Sequence, residues 1–256
     1  MQFTVEYFEY IMLVFVRISS AVMVATLFGS GSIPRMVKVG LSFFLTVMAV
    51  QMQDYTPLQY TGTLGLAILI LQEAITGLLI GISTGFCVYI LNFSGHMIDM
   101  EIGFSMAMEL DPTTNIQSTI TANLFSQVFL AFFIVSDMHY FILDTIFDSY
   151  KMIPIGGANL QGNILSVFMT YMTDYFIIGF RIVLPIFSCI LVINVVLGIL
   201  AKIAPQMNMF VIGMQLKVFV GLFLLFLLMS LLPNLTDFIF QEMQKLTKLF
   251  LDAIVT

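Results

Sequence analysis

Two stretches of this chain read as apolar helices that are much longer than a lipid bilayer is thick. Residues 62–100 and residues 164–203 carry few charges and keep an apolar helical pattern throughout. At 1.5 Å per residue they would extend roughly 58 Å and roughly 60 Å, whereas the hydrocarbon core of a membrane is about 30 Å thick. A transporter whose helices simply cross the bilayer does not need helices of this length. The pattern favours long helical hairpins that reach beyond the bilayer, unless Pro185 breaks or kinks the second rod.

The composition excludes an ordinary water-soluble protein. Hydrophobic residues make up 60% of the 256 positions and charged residues only 9%, whereas soluble domains are about a quarter charged. A chain this apolar cannot enclose all its hydrophobic side chains in one core and still present a polar surface to water. A bundle of membrane-associated helices fits better.

The remaining apolar runs and turn signals predict an all-α fold of about six hydrophobic helices. Beside the two long rods, we predict helices over about 7–28, 35–50, 116–150 and 208–233. A further segment, 235–254, alternates apolar and polar residues with helical periodicity. This C-terminal amphipathic helix could lie in the membrane interface or pack against a partner, and the sequence leaves both open.

Nothing in the sequence predicts catalysis or a bound cofactor. The two cysteines, Cys87 and Cys189, lie far apart within apolar runs, which is typical of small buried hydrophobes and not of a disulfide framework or a metal site. There is no Ser-His-Asp spacing, no glycine-rich nucleotide loop and no His-Glu-x-x-His motif. The formal charge of −6 is spread along the chain and gives no argument for nucleic acid. We therefore expect no enzyme, no cofactor and no metal.

Almost every apolar run contains a charged residue. These residues are Arg17, Glu73, Asp137, Asp174, Arg181 and Lys217. Each would be costly facing lipid and should face protein or water. They could pair within the helical bundle, or they could meet partner subunits or a water-filled path.

Three local patterns suggest close packing or movement. Glycines at 77, 81 and 85 follow Glu73 on one helix face and permit close helix approach, within the bundle or against another subunit. Pro205 cannot continue a helix and Asn208 can cap the next one, so 204–208 is predicted to be the tight tip of a helical hairpin with Lys202 near it. Methionines cluster at 97–108 and again at 207–214, where they could fill gaps or form a deformable seal, and the loop-like position of the first cluster favours the seal there.

Four blocks of residues have a recognisable order and spacing. They are Arg17, Phe28-Gly29 and Ile33-Pro34; then Glu73, Gly77 and Gly81; then Gly95, Asp99, Gly103-Phe104-Ser105 and Asp111-Pro112; then Pro185, Asn194, Gly198, Lys202, Pro205-Gln206-Met207-Asn208, Phe210, Gly213 and Lys217. Together they cover nearly the whole chain and resemble the FliR/SctT family of type III secretion export-gate proteins.

The resemblance implies a single export-gate domain over 1–256. It would have a FliP/SctR-like half at 1–160 and a FliQ/SctS-like half at 161–256. The family assembles with FliP/SctR-like and FliQ/SctS-like membrane proteins into a helical spiral around an export channel. The resemblance also implies a FlhB/SctU-like switch protein, exported protein substrates and membrane lipid as partners. The implied location is the inner membrane of a bacterium, with a projection to the periplasmic side. A flagellar system is the main expectation, and a subunit of a secondary transporter or ion channel is the alternative.

The resemblance also assigns roles to residues of this chain. The channel plug would be formed by Gly103, Phe104, Ser105, Met106, Ala107, Met108, Glu109, Leu110, Asp111 and Pro112. Hinge and subunit packing would fall to Glu73, Gly77, Gly81, Lys202, Pro205, Gln206, Asn208, Gly213 and Lys217.

Overall fold

The computed structural model describes residues 5–29, 33–53, 55, 57–58, 60, 62–104, 109–110, 117–159, 163–206 and 208–255. For residues 109–110, 117–118 and 209 it describes the backbone alone.

The described residues form eight α-helices. They are α1 (Val5–Val24), α2 (Arg35–Met52), α3 (Gly62–Ile102), α4 (Ile120–Val135), α5 (His139–Met152), α6 (Ile164–Ile203), α7 (Met209–Met229) and α8 (Leu232–Val255). A pair of two-residue strands, β1 (Glu109–Leu110) and β2 (Gln117–Ser118), runs antiparallel, with Glu109 opposite Ser118. The all-α prediction is confirmed.

Five of these helices, namely α1, α2, α3, α6 and α7, are long and apolar enough to cross a membrane. The bent pair of α4 and α5 would make a sixth span if the pair counts as one. The prediction of about six hydrophobic helices is thereby confirmed. The two long rods exist as single helices, of 41 residues in α3 and 40 residues in α6.

Pro185 does not break α6, which runs through it. Proline removes its own N–H from the helix ladder and its ring crowds the carbonyl one turn earlier, but apolar membrane helices tolerate proline where neighbouring groups satisfy the freed carbonyl. The expected single helix over 116–150, by contrast, is wrong. Asp137 has a φ of 57°, and the helix is interrupted between Val135 and His139. A left-handed residue cannot continue a right-handed helix, and Asp adopts that conformation more readily than most residues.

The chain forms two compact units that are interleaved in sequence. Unit 1 contains residues 1–87, 136–172 and 240–256, and unit 2 contains residues 88–135 and 173–239. The core of unit 1 includes Leu13, Ile18, Ile146 and Phe250, and the core of unit 2 includes Ile98, Ile102, Phe129, Phe133 and Ile190. The two halves implied by the family resemblance, divided near residue 160, stay a prediction.

The apolar face of α8 packs inside its own chain. In unit 1, Met243, Leu246, Phe250 and Ile254 are buried, while Lys245, Lys248 and Asp252 face outward. The backbone N–H of Asn159 donates to the carbonyl of Ile254 at 2.9 Å and ties the end of α8 to the loop before α6. The amphipathic pattern of residues 243–254 therefore reflects packing within the chain. The sequence had suggested the membrane interface or a partner protein instead.

Candidate functional site

A buried ion pair organises unit 1. The guanidinium of Arg17 on α1 holds both carboxylate oxygens of Glu73 on α3, from Nε to Oε2 at 2.5 Å and from Nη2 to Oε1 at 3.0 Å. Both side chains are 0% exposed. This two-pronged geometry is the strongest form of a charge-assisted hydrogen bond. For these two residues the structure therefore selects pairing within the bundle.

The same guanidinium caps the carbonyl end of α5. Nη1 of Arg17 donates to the carbonyl of Ile153 at 2.9 Å and to that of Ser149 at 3.3 Å. Helices end with carbonyls that lack a helical partner and carry partial negative charge, so a cation there satisfies both needs. The ring of Tyr150 lies 4.4 Å from the guanidinium carbon, and Glu73 also accepts from the N–H of Gly156 at 2.9 Å.

We call Arg17, Glu73, Tyr150 and the backbone of 149–156 the Arg17 clamp. It ties α1, α3 and the end of α5 together, and every nitrogen of the guanidinium and both oxygens of the carboxylate make hydrogen bonds. A buried pair of this kind tolerates change poorly, because removing one partner leaves the other charged and unsolvated.

The glycines after Glu73 bring α3 against α1. A Cβ on Gly77 would collide with the carbonyl oxygen of Arg17 and with Oγ of Ser20. A Cβ on Gly81 would lie 2.9 Å from the carbonyl oxygen of Ala21 and from Cβ of Val24. Both glycines thus pack against α1 of their own chain. This close packing accounts for the spacing in Glu73-x-x-x-Gly77-x-x-x-Gly81. A role of these residues in subunit packing stays a prediction.

The connector after α2 is tied back to the start of α1. The hydroxyl of Tyr60 donates to the carboxylate of Glu9 at 2.6 Å, and that of Tyr10 donates to Gln53 at 3.3 Å. The hydrogen bond to the Glu9 carboxylate raises the pKa of Tyr60, with burial as the second cause. The tyrosine is therefore the proton donor of this contact at neutral pH.

In unit 2, Asp99 anchors the start of α4 to α3. Its buried carboxylate accepts from the backbone N–H of Thr121 at 2.8 Å and from the Thr121 hydroxyl. Gly95 sits so close to Ala122 that a Cβ would collide with it. A carboxylate at a helix N-terminus is favourable, because the first N–H groups lack helical acceptors. The helices that flank the predicted plug segment are thereby fixed to each other.

A cavity of about 300 Å³ lies between the end of α3, α6 and α7, and we call it the α3–α6–α7 cavity. It is lined by Met100, Glu101, Ile102, Gly103, Asn194, Leu197, Phe210, Gly213, Met214 and Lys217. It joins Gly103 of the predicted plug with Gly213 and Lys217 of the predicted hinge set. Phe210 and Met214 are exposed at its rim, whereas Ile102, Leu197 and Gly213 are buried.

Two glycines determine the course of the backbone around this cavity. Gly103 has a φ of 98° and its N–H donates to the carbonyl of Asp99 at 3.0 Å, so α3 ends here in a conformation that favours glycine. A Cβ on Gly213 would lie 3.1 Å from Cδ1 of Leu197, so α6 and α7 approach closely beside the cavity.

Two opposite charges line this cavity without touching. Lys217 and Glu101 are both half-buried, and among the residues that the structure describes neither has an ion pair within 4.0 Å or a hydrogen bond from its side chain. Asn194 adds an amide to the same lining. An apolar pocket with a few convergent polar groups is the usual form of a binding site.

The predicted hairpin tip is present between α6 and α7. The last turn of α6 closes with the N–H of Ala204 on the carbonyl of Leu200 at 2.8 Å. The side chain of Asn208 accepts from the N–H of Val211 at 3.5 Å, which confirms the predicted cap. Lys202, Pro205 and Gln206 are exposed at this tip. Its function as a hinge stays a prediction.

The predicted plug is described only in part. Gly103 and Phe104 follow α3 directly, and Glu109 and Leu110 are described by their backbone in β1. Ser105, Met106, Ala107, Met108, Asp111 and Pro112 lie outside the described residues. The assignment of 103–112 as a plug stays a prediction.

Several cavity residues carried no usable signal in the sequence. Ile102 and Leu197 are ordinary apolar residues in apolar runs. Glu101 in this cavity, and Thr121 at the contact with Asp99, belong to no motif in the sequence either. Their roles depend on contacts between helices that are distant in sequence, which periodicity does not report.

Comparison with known proteins gives a consistent result. Residues 8–243 match the model of the family described as bacterial export proteins, family 1. The chain is 29% identical over 231 residues to the flagellar biosynthetic protein FliR of Bacillus subtilis (strain 168), with 89% of each chain covered. It is 26% identical over 228 residues to FliR of Escherichia coli (strain K12), covering 88% of this chain and 86% of the relative. With FliR of Aquifex aeolicus (strain VF5) the identity is 24% over 248 residues, covering 97% and 96%.

Proposed function

Because the chain belongs to the bacterial export proteins of family 1, we propose that it is a core component of a flagellar type III export gate. The gate would pass unfolded export substrates through the bacterial inner membrane, with part of the assembly projecting to the periplasmic side. The observation that carries this proposal is the family match over residues 8–243. The five apolar helices support a membrane-embedded component.

We propose FliP/SctR-like and FliQ/SctS-like membrane proteins as the partners that complete the channel, and a FlhB/SctU-like protein as a regulator of it. The exposed surface of α6 and α7 supports this need for partners. Only 22% of the most apolar window of α6 and 11% of that of α7 are buried within the chain. Lipid can cover part of this surface, but α6 is about 60 Å long, twice the thickness of the hydrocarbon core.

The charge pattern of α6 indicates which half lipid can cover. Residues 182–201 carry no charge and are flanked by Arg181 and Lys202, and 20 residues extend about 30 Å. The preceding half exposes Phe176, Ile177 and Phe180. These apolar side chains would lie beyond the hydrocarbon, so a partner protein is the natural cover.

We further propose that residues 103–112 plug the channel at rest. The geometry around this segment supports the proposal, because Asp99 and Thr121 fix the flanking helices while Gly103 turns the chain out of α3. The segment contains Glu109 and Asp111 but no Lys or Arg to pair with them. A short segment that contains no cation to pair with its own carboxylates can open at low free-energy cost when a substrate arrives.

A direct test of the assembly uses the chain co-expressed with membrane proteins from neighbouring reading frames. The detergent-extracted particle would be weighed intact by native mass spectrometry. We expect a hetero-oligomer that contains one copy of this chain and several copies of two smaller apolar partners. A monodisperse, protease-resistant monomer from the same cells would contradict the proposal.

A further inference from the structure

Two side chains of opposite charge, Lys217 and Glu101, line the α3–α6–α7 cavity among mostly apolar residues. Lys217 lies inside α7, which is long and apolar enough to cross a membrane. A lysine in such a helix must face protein, water or another polar group, because contact with hydrocarbon is costly. Within the described part of the chain, Lys217 and Glu101 line one cavity but do not form an ion pair. Something that carries both charges would satisfy both side chains.

The balance of charge argues against a purely anionic occupant. Lys217 contributes one positive charge, and Glu101 contributes one negative charge. The carbonyl end of α3, which closes at Gly103, adds a partial negative charge. A lone carboxylate or an anionic headgroup would therefore add excess negative charge. A zwitterion could place its anionic group on Lys217 and its cationic group on Glu101 and the end of α3.

The lining and the position of the cavity favour a lipid over a soluble zwitterion. Its rim carries the exposed side chains of Phe210 and Met214, and its buried wall carries Ile102 and Leu197. A volume of about 300 Å³ is at the small end of ligand sites. It suits a headgroup, while acyl chains would extend along the exposed apolar faces of α6 and α7.

We propose that the α3–α6–α7 cavity binds the headgroup of a zwitterionic aminophospholipid. The phosphate accepts from the ammonium of Lys217, and the amide of Asn194 adds a polar contact. The lipid ammonium donates to the carboxylate of Glu101 and to the carbonyl end of α3, since an ammonium has three N–H donors. The proposal needs the chain to be in a membrane but not the export function, so it can fail or succeed independently of the proposed function.

The test uses the full chain with the subunits that co-purify with it, reconstituted in nanodiscs. The discs contain equal amounts of phosphatidylethanolamine, phosphatidylcholine and phosphatidylglycerol, and native mass spectrometry after release counts the lipids retained on the complex. We expect ethanolamine lipid to be retained preferentially. Choline lipid has the same charges but no N–H donor on its quaternary nitrogen, and glycerol lipid lacks the cation.

Variants separate the two charges of the headgroup. Lys217→Met should lower the retention of ethanolamine lipid by about tenfold, the usual effect of one charge-assisted hydrogen bond. Glu101→Gln should abolish the preference for ethanolamine over choline lipid. Lys248→Met is the matched control, because Lys248 is an exposed lysine on α8 and does not line the cavity. It should retain lipid as the wild type does.

Three outcomes would overturn the proposal. Equal retention by Lys217→Met and Lys248→Met would mean that Lys217 holds no lipid headgroup. A preference for phosphatidylglycerol would identify an anion site. A photo-crosslinker placed at Met214 that labels a partner subunit and no lipid would show that protein fills the cavity instead.

Discussion

Each compact unit contains a set of opposite charges, and the two sets are arranged in different ways. In unit 1, Arg17 and Glu73 are fully buried, and each guanidinium nitrogen and each carboxylate oxygen has a hydrogen-bond partner. In unit 2, Glu101 and Lys217 are half-buried and line a cavity without pairing. The first arrangement is expensive to disturb and fixes the helices in register. The second leaves room for an occupant or for movement. A gate needs both properties, a frame that holds its shape and a region that adapts.

Breaking the Arg17 clamp should have the largest effect on stability. Arg17→Met leaves the Glu73 carboxylate buried without its cation, at a cost of about 3–5 kcal/mol. Thermal unfolding of the detergent-purified complex, followed by light scattering, measures the loss. The double variant Arg17→Met with Glu73→Met removes both charges and should recover much of it. If the single and double variants were equally unstable, the pair would not be the source of the effect.

Adding a side chain at the close contact between α1 and α3 should have the second-largest effect on stability. Gly77→Ala places a methyl group against the Arg17 carbonyl and Ser20, so the backbone must shift at a cost of about 1–3 kcal/mol. Gly40→Ala is the matched control, since nothing lies within 4 Å of a Cβ there and alanine favours the helix. We expect melting temperature to fall for Gly77→Ala and to stay or rise for Gly40→Ala. The same change at both sites would contradict the packing of α3 on α1.

A smaller effect is expected at the hairpin tip. Asn208→Ala removes the side-chain cap of α7 and should cost about 1 kcal/mol of local stability. Hydrogen exchange of the first turn of α7, measured by mass spectrometry, reports this directly. Gln206→Ala changes an exposed neighbour and should have almost no effect. Equal exchange in the two variants would mean that the 3.5 Å contact to Val211 does not stabilise the helix.

How far the sequence could lead is shown by particular residues. Apolar periodicity located the helices, because burial or lipid contact repeats with the helical period. The sequence left open whether Pro185 breaks the second long helix, and the structure shows that α6 continues through this residue. It missed the break at Asp137, since the residues on both sides favour helix and only the left-handed backbone separates them.

The same holds for the sites, where the sequence indicates unusual residues but not their tertiary contacts. Arg17, Glu73, Gly77 and Gly81 stood out as unusual residues in apolar runs, but their pairing with each other and with the end of α5 depends on tertiary contacts. Lys217 stood out for the same reason. The cavity around it could not be inferred, because Ile102, Asn194 and Leu197 come from helices that only the fold brings together.

The most direct test of the central claim is deletion of residues 105–110 in cells that also produce the partner subunits. The rigid frame of unit 1 should be unaffected, so the complex should assemble at normal yield. The gate should lose its obstruction, and the membrane should become permeable to ions and small solutes, measured as single-channel conductance of the purified complex in planar bilayers. Met106→Ala with Met108→Ala should give a milder leak. A deletion variant that assembles and conducts no more than the wild type would contradict the account and place the gate in the partner subunits.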